Sequence, residues 1–200
     1  MSILVAYASK YGATRGIAER IAAKLRQMGK EVDVRALNGV DDATLVDVSV
    51  YEAFVVGSAV YSGSWLPAAA TFVRVHSATL AVQPTWLFSS GPLGAQAQPA
   101  EGAEQETEES LGQIRIFGST RTIHWPLPKE VVEFRQSIKP RDHEMFFGAI
   151  DHKNLSFPER IAMRAVGGME GDFRDWNSID AWAEAIGRAL TPAGASSSQG

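Results

Sequence analysis

The stretch that decides the fold is ILVAYASKYGAT, residues 3–14. Its apolar half, Ile3–Tyr7, shows no polar alternation, which is typical of a strand buried on both faces of a parallel sheet. Its hydroxyl-rich half, Ser9–Thr14, leads into residues 14–28, where apolar side chains recur with helical spacing up to Gly29. The stretch therefore predicts a β-strand, a tight turn and an α-helix in immediate succession.

The same alternation of strand and helix continues along the chain. A second strand, Glu31–Leu37, alternates polar and apolar residues, as expected near the edge of a sheet. Further strands are predicted at Ala53–Val56 (ending at Gly57), Thr85–Ser89 and Met145–Ile150, and further helices at Pro67–His76 and Ile179–Leu190. This order favours an α/β fold: a doubly wound, five-stranded parallel sheet with helices on both faces, in one domain of residues 1–190.

Two segments fall outside this pattern. Residues 95–113 are acidic, poor in aliphatic side chains and punctuated by proline and glycine. They predict a mobile loop, with a short helix at its end as an option. Residues 191–200, TPAGASSSQG, predict a disordered tail.

Composition excludes several classes of chemistry. The 200 residues include no cysteine, which rules out disulfides, thiolate catalysis, cysteine-ligated zinc and iron–sulfur clusters. A net charge of −4 gives no indication of nucleic-acid binding, and the histidine spacing does not suggest a metal site. The apolar run at the N-terminus is too short for a signal peptide, and no later stretch is long enough to span a membrane. A cytoplasmic protein is therefore expected.

The turn at residues 9–14 has the properties of an anion site. Backbone N–H groups at a helix start lack partners, and the helix dipole places partial positive charge there. Ser9 and Thr14 add hydroxyl donors, and Gly12 allows close approach to the backbone. The pattern is neither GxxxxGK[ST] nor GxGxxG, which weakens a nucleoside triphosphate or dinucleotide interpretation. The alternative is that the hydroxyls only cap the helix and the glycine only makes a turn.

The string SKYGAT after an N-terminal strand resembles the FMN-phosphate loop of flavodoxins, in which T/S-x-T/S/Y-G-x-T recurs. The resemblance implies a flavodoxin-like fold with bound FMN, whose phosphate is wrapped by Ser9, Lys10, Tyr11, Gly12, Ala13 and Thr14. Since such a loop reads the phosphate and not the ring, another phosphorylated flavin, such as a deazaflavin, stays open as an alternative.

Two further loops are predicted to complete the site, because ligands of open α/β sheets bind beyond the carboxyl ends of the strands. Both loops, Gly57–Trp65 and Ser89–Gly94, are rich in small residues that let a flat ring approach the backbone. Tyr61 is expected to stack on the ring, with Trp65 as the second choice, unless both aromatics belong to the core or its rim. The resemblance implies ring contacts at Ala59, Val60, Tyr61, Ser62 and Gly63, and at Ser89, Ser90, Gly91 and Pro92.

The last third of the chain resembles a narrower group. FFGAI at 146–150, a basic amphipathic segment at 157–166, Gly-Gly at 167–168 and Asp-Trp at 175–176 follow in the order seen in menaquinone-dependent protoporphyrinogen oxidases. This likeness implies an FMN-dependent oxidoreductase that passes electrons from a porphyrinogen to a quinone, with no catalytic residue beyond the flavin. The pair Tyr61-Ser62 departs from that group, in which a basic and an aromatic residue precede the glycine.

Several alternatives stay open at this point. The basic segment offers a peripheral contact with the inner face of a membrane through Arg160 and Arg164, or else it packs on the sheet with both arginines solvated. The chain is alternatively a flavodoxin-type electron carrier that docks a redox partner protein through its acidic segment. An NAD(P)H:quinone reductase ranks lower, because the sequence offers no second nucleotide site. A scaffold without cofactor is disfavoured by the intact loop at residues 9–14.

Overall fold

The structure of this chain is a computed structural model that describes residues 2–91, 111–116, 119–124, 127–150 and 171–191. Its strands are β1 (Ser2–Ala8), β2 (Glu31–Ala36), β3 (Ala53–Tyr61), β4 (Ser64–Trp65), β5 (Thr85–Gly91), β6 (Leu111–Ile116), β7 (Ser119–His124), β8 (Asp142–Phe147), β9 (Ala149–Ile150) and β10 (Gly171–Asp172). Its helices are α1 (Ala13–Gln27), α2 (Val40–Thr44), α3 (Pro67–Val75), α4 (Ser77–Val82), α5 (Lys129–Ser137) and α6 (Trp176–Ala189).

Five strands form one parallel sheet in the order β2-β1-β3-β5-β8, and β4 pairs antiparallel with β3. The predicted five-stranded parallel sheet is confirmed, and β2 lies at the predicted edge. After β2 the chain crosses back past β1 to form β3, so the direction of strand addition reverses between β1 and β3. A reversal of this kind opens a crevice at the carboxyl ends of the two strands, where doubly wound sheets bind ligands.

Helices cover both faces of the sheet, and each face has its own apolar cluster. The residues of β1 show the division, because alternate side chains of a strand point to opposite faces. Ile3 and Val5 join a cluster with residues of α1 and α6, whereas Leu4 and Ala6 join one with residues of α3 and α5. All four side chains are fully buried, as expected of a central parallel strand.

Local chemistry sets the helix boundaries. α1 ends before Gly29, whose φ of 75° is left-handed and whose N–H donates back to the last turn of the helix. Pro67 occupies the first turn of α3, and the carboxylate of Asp175 caps α6 by accepting two backbone N–H groups. The helices predicted at 14–28, 67–76 and 179–190 are thus confirmed to within three residues at their ends.

The predicted end of the third strand is wrong. β3 does not stop at Gly57 but continues to Tyr61. The glycine serves packing rather than termination, because a Cβ at this position would collide with the ring of Phe88 on the neighbouring strand. A sequence pattern reads glycine as a strand end and has no means of seeing the ring above it.

Two later segments also differ from the prediction. The strand predicted at Met145–Ile150 starts earlier, at Asp142, and leaves the sheet at Gly148, after which β9 pairs antiparallel with β10. Residues 111–113, assigned by their sequence to the acidic loop and its optional helix, instead begin β6, which forms an antiparallel pair with β7. Helices α2, α4 and α5, which have five, six and nine residues, were not predicted from the sequence. The predictions at 92–94, 95–110, 157–168 and 192–200 lie outside the described residues.

Candidate functional site

The carboxyl ends of β1, β3 and β5 meet at one edge of the sheet. In the strand register Ala8 is level with Ser58, and Ser58 is level with Ser89. The segments that follow β1 and β3 therefore lie beside the end of β5, as the sequence predicts for the three candidate loops. Residues 9–14 are called the phosphate loop below, and residues 60–65 are called the hairpin.

The backbone of the phosphate loop is open to an anion. Gly12 is the N-cap of α1 and has a φ of 89°, a left-handed conformation that glycine adopts without strain. Its own N–H is occupied, because it donates to Oγ of Ser9 at 3.1 Å. Within the part of the chain that the structure describes, no side chain caps the first turn of α1, and that turn carries no acidic residue. The N–H groups after Gly12 and the positive end of the helix dipole are therefore left for a ligand.

The phosphate loop is also accessible from solvent. Lys10 and Gly12 are exposed and Thr14 is buried, while the other three residues, Ser9, Tyr11 and Ala13, are half-buried. An open cavity of about 270 Å³ adjoins the loop on the side of β2, between the loop and residues 36–38. A small anion can thus reach the loop without rearrangement of the chain.

Lys10 links the phosphate loop to the hairpin. Its Nζ lies 5.0 Å from the ring centroid of Tyr11 and 5.3 Å from that of Tyr61, both within cation–π range. The two tyrosine rings meet edge to face with their centroids 6.4 Å apart. Tyr61 keeps 37% of its surface exposed, and its stacking on a flavin ring stays a prediction.

The loop after β3 folds as a two-stranded hairpin. Val60 pairs with Trp65 and Tyr61 with Ser64, with Ser62 and Gly63 at the turn. Ser62 has a φ of 48° and Gly63 a φ of 73°, and positive φ at both central residues defines the type I′ turn that matches the twist of a hairpin. The glycine is thus placed by turn geometry, and both Ser62 and Gly63 are exposed.

Trp65 is not available to stack on a ring, contrary to its predicted second choice. Its side chain is 3% exposed, and its ring packs edge-on against Phe134 at a centroid distance of 5.6 Å. Nε1 of Trp65 donates to Oγ of Ser89 at 2.8 Å, and its backbone N–H donates to Oε2 of Glu130 at 2.9 Å. Trp65 therefore anchors the hairpin to the core.

The end of β5 is buried but contributes backbone to the edge. Ser89 uses its hydroxyl inside the core, between Nε1 of Trp65 and Nε2 of His143, the latter at 2.8 Å. A cofactor contact of Ser89 would therefore have to come from its backbone. Ser90 and Gly91 are likewise buried, and Pro92 lies outside the described residues. The ring contacts stay predictions on both sides of this edge. They concern Ala59, Val60 and Ser62 near the hairpin, and Ser89, Ser90 and Gly91 at the end of β5.

Gly148 belongs to this edge, although the sequence analysis assigns it no role. A Cβ at Gly148 would lie 3.3 Å from O of Gly91, 3.4 Å from Oγ of Ser90 and 3.5 Å from Cβ of Ala13. The glycine thus brings the end of β8 against both β5 and the start of α1. Its sequence signal is the FFGAI string, in which a glycine directly follows a strand.

Burial shifts two titratable groups on opposite faces of β8. Burial, and to a smaller extent the charge of Arg135, lowers the pKa of His143 to about 3, so its ring is neutral near pH 7 when it shares a hydrogen bond with Ser89. Burial, reinforced by the carboxylate of Asp142, raises the pKa of Glu144 to about 7. Both shifts have the same physical cause, because desolvation disfavours the charged form of each group.

The described residues offer neither a metal centre nor a membrane-spanning helix. No group of three or more histidine, aspartate and glutamate side chains there is arranged to hold a metal ion. Among the helices described, none is long and apolar enough to cross a membrane.

Comparison with solved structures shows a common fold. Oxidised Flavodoxin 2 from Bacillus cereus has 18% identity and a TM-score of 0.57, with 95% of this chain and 100% of that chain covered. Flavodoxin 1 from the same organism has 11% identity and a TM-score of 0.56, with 96% and 100% covered. The rubredoxin oxygen:oxidoreductase of Desulfovibrio gigas has 13% identity and a TM-score of 0.55. The match covers 94% of this chain but only 36% of the length of that protein.

Sequence comparison gives the family. Matching against curated protein sequences yields no significant relative. The chain does match the profile of the Flavodoxin domain over residues 4–177, which is most of its length. This chain therefore belongs to the flavodoxin domain family, whose standard cofactor is FMN.

Proposed function

We propose that this chain binds FMN at the carboxyl edge of its sheet and exchanges electrons through it. The observation that carries the proposal is the uncapped, acid-free first turn of α1, which leaves backbone donors open at the end of β1. When bound, FMN supplies a ring that accepts and releases one or two electrons. The protein's own part is binding, orientation and control of access.

The residues at this edge fit FMN. The N–H groups after Gly12 and the hydroxyl of Ser9 suit the phosphate dianion, because anions are favoured at the N-terminus of a helix. The exposed ring of Tyr61 and the turn at Ser62 and Gly63 suit a flat heteroaromatic ring beside that phosphate. Lys10 adds a positive charge near both.

The test is direct binding. Apoprotein titrated with FMN should quench flavin fluorescence and bind FMN ~100-fold more tightly than riboflavin, since two charge-assisted hydrogen bonds contribute about 3 kcal/mol together. Mass analysis of the chromophore released from the protein as purified identifies the ring and separates FMN from a deazaflavin. Equal affinity for FMN and riboflavin, or no binding of either, would overturn the proposal.

The more specific part of the proposal names the reactants: the electron donor is a porphyrinogen and the electron acceptor is a quinone. Support comes from the sequence string that begins with FFGAI at 146–150 and ends with Asp175-Trp176. Each two-electron oxidation would remove two electrons and two protons from the porphyrinogen and convert one quinone to its quinol. Peripheral attachment to the inner face of a membrane, through Arg160 and Arg164, belongs to the same assignment because a lipid-soluble quinone resides there.

Porphyrin fluorescence tests this assignment. FMN-loaded protein is mixed anaerobically with a porphyrinogen and a naphthoquinone, and porphyrin should form only when protein, flavin and quinone are all present. The Gly12→Val variant, mixed with FMN at a concentration that saturates wild type but not the variant, serves as the control. Porphyrin formation no faster than in the protein-free mixture would eliminate the porphyrinogen oxidase assignment while leaving FMN binding intact.

A second candidate is an electron carrier without its own substrate. It is favoured by the acidic segment at 95–113, which suits docking to a basic partner, and by the family, whose flavodoxins this chain matches over their full length. A carrier should exchange electrons with a reductase at a rate that falls steeply with salt. Fast exchange that is independent of ionic strength would count against this candidate.

A further inference from the structure

The hairpin is held from below by the first turn of α5. The backbone N–H of Lys129 donates to O of Gly63 at 3.3 Å. The neighbouring carboxylate of Glu130 accepts the backbone N–H of Trp65 at 2.9 Å. Two consecutive residues of one helix thus hold both sides of the same turn, which lies at least 65 residues earlier in the chain.

Glu130 is an unusual residue to find in this position. It is 5% exposed, and a buried carboxylate is destabilising unless hydrogen bonds or charges compensate it. Two sources of compensation are present. Glu130 lies in the first turn of α5, where the helix dipole favours negative charge, and its Oε1 lies 4.0 Å from Nζ of Lys129. Glu130 is therefore a buried acid, and its carboxylate contacts the backbone of the hairpin at the N–H of Trp65.

The same hydrogen-bond network extends from the hairpin to the end of β5, the second segment predicted to contact the flavin ring. Trp65, whose N–H is held by Glu130, donates its Nε1 to Oγ of Ser89 at 2.8 Å. Ser89 in turn is 2.8 Å from Nε2 of His143. Since Ser89 immediately precedes Ser90 and Gly91, one hydrogen-bonded chain joins the two loops predicted to contact the ring.

We infer that Glu130 is a positioning residue, which through Trp65 holds the hairpin turn in one conformation against the ring of bound FMN and so sets flavin affinity and midpoint potential. This inference rests on the proposed FMN site. The physical reason is that a type I′ turn at the exposed end of a strand has few contacts of its own, and a turn that is not held must be ordered each time a ligand binds.

The experiment compares Glu130→Ala with Glu130→Gln and with Glu133→Ala. The amide of glutamine retains an oxygen that accepts the N–H of Trp65, so Glu130→Gln tests rescue by hydrogen bonding alone. Glu133 lies one turn further along α5, is 46% exposed and pairs with Arg74, which makes it a matched control for loss of a carboxylate. Apoproteins are compared by hydrogen exchange of the hairpin amides, and loaded proteins by FMN Kd, visible spectrum and midpoint potential.

Glu130→Ala should speed exchange of the amides at 60–65 by roughly tenfold or more, because a charge-assisted hydrogen bond is lost. It should weaken FMN binding by ~10-fold and alter the visible band of the flavin. A tenfold difference between the effects on oxidised and reduced FMN corresponds to a potential shift of about 59 mV for one electron. Glu130→Gln should recover the exchange rate and Kd to within about threefold of wild type, and Glu133→Ala should change neither.

Ser89→Ala provides a second measurement if Glu130→Ala does not fold. It removes the acceptor of Trp65 with almost no change in volume, and it should change the flavin spectrum and Kd in the same direction by a smaller factor. Glu130→Ala or Ser89→Ala protein with wild-type exchange, Kd and potential would overturn the inference alone. Wild-type protein that does not bind FMN would overturn the proposed function as well, whereas the exchange data on apoprotein would still report whether Glu130 holds the turn.

Discussion

The phosphate loop and the hairpin are neighbours at the same edge of the sheet, yet they differ in whether their backbone polar groups have hydrogen-bond partners from other elements. In the phosphate loop the N–H groups after Gly12 are left open, and local sequence is enough to leave them so. In the hairpin the O of Gly63 and the N–H of Trp65 are both occupied by α5. The difference shows that open donors at a helix start follow from local sequence, whereas the conformation of an exposed turn depends on contacts with distant parts of the chain.

The largest expected effect comes from closing the phosphate loop. Gly12→Val places a β-branched residue at a φ of 89°, a conformation that disfavours every residue with a Cβ. The loop would have to rearrange, and FMN affinity should fall by ~100-fold, together with the preference for FMN over riboflavin. Fluorescence titration with both flavins measures the change.

Gly39→Val is the matched control for that substitution. Gly39 is also the N-cap of a helix, α2, but its φ of −167° is extended backbone that any residue adopts, and a Cβ there meets no atom within 4 Å. Its FMN affinity should stay within about twofold of wild type. Equal losses in the two variants would mean that general destabilisation, and not the conformation of the phosphate loop, controls binding.

A change of pH is expected to have an intermediate effect, because the hydrogen-bonded chain from Trp65 through Ser89 ends at a neutral histidine, His143. Unfolded chains protonate His143 near its ordinary pKa of 6.5, whereas the folded protein does so only near pH 3. The stability due to this residue is therefore complete above pH 6.5 and is lost as the pH falls below it, by up to roughly 1.4 kcal/mol per pH unit. Glu144 acts in the opposite sense, since its raised pKa of about 7 makes the folded state lose stability as the pH rises from 4.5 to 7.

Glu144→Gln should expose the histidine slope. In wild type the two contributions oppose each other between pH 4.5 and 6.5, so their sum is nearly flat there. In the variant the free energy of unfolding should rise with pH across that window by up to roughly 1.4 kcal/mol per unit, which urea unfolding at several pH values measures. Glu31→Gln, at an exposed position, serves as the control. Parallel pH profiles for wild type and Glu144→Gln would show that Glu144 does not titrate as its burial implies.

The smallest effect is expected at Lys10, which connects the two regions. Lys10→Met removes the charge that lies over the rings of Tyr11 and Tyr61. Because an exposed cation–π contact is worth about 0.5–1 kcal/mol, FMN affinity should fall only by about two- to fivefold, and less at high salt. Lys10→Arg should retain most of the affinity. A loss as large as that of Gly12→Val would show that the side chain, and not the backbone, dominates the phosphate loop.

Sequence reasoning succeeded where neighbouring residues decide the structure. The apolar run of β1, the turn around Gly12, the stop at Gly29 and the proline at the start of α3 are short-range features, and all are found where they were predicted. It failed at Gly57, at Trp65 and at the end of β8. Each of these depends on a partner from another element: the ring of Phe88 for Gly57, the core hydrogen bonds for Trp65, and the pairing with β10 for the residues after β8.

By itself, the sequence determined that this chain forms a parallel α/β sheet and that a tight turn leads from its first strand into a helix whose first turn is uncapped. Strand hydrophobicity, helical periodicity and the chemistry of a helix start are all properties of contiguous residues, so they can be read without coordinates. Only the tertiary structure decided that Trp65 faces the core, that Glu130 and Lys129 hold the hairpin and that His143 is neutral. Burial and hydrogen-bond partners arise when distant segments pack together, and no local pattern specifies which segments those will be.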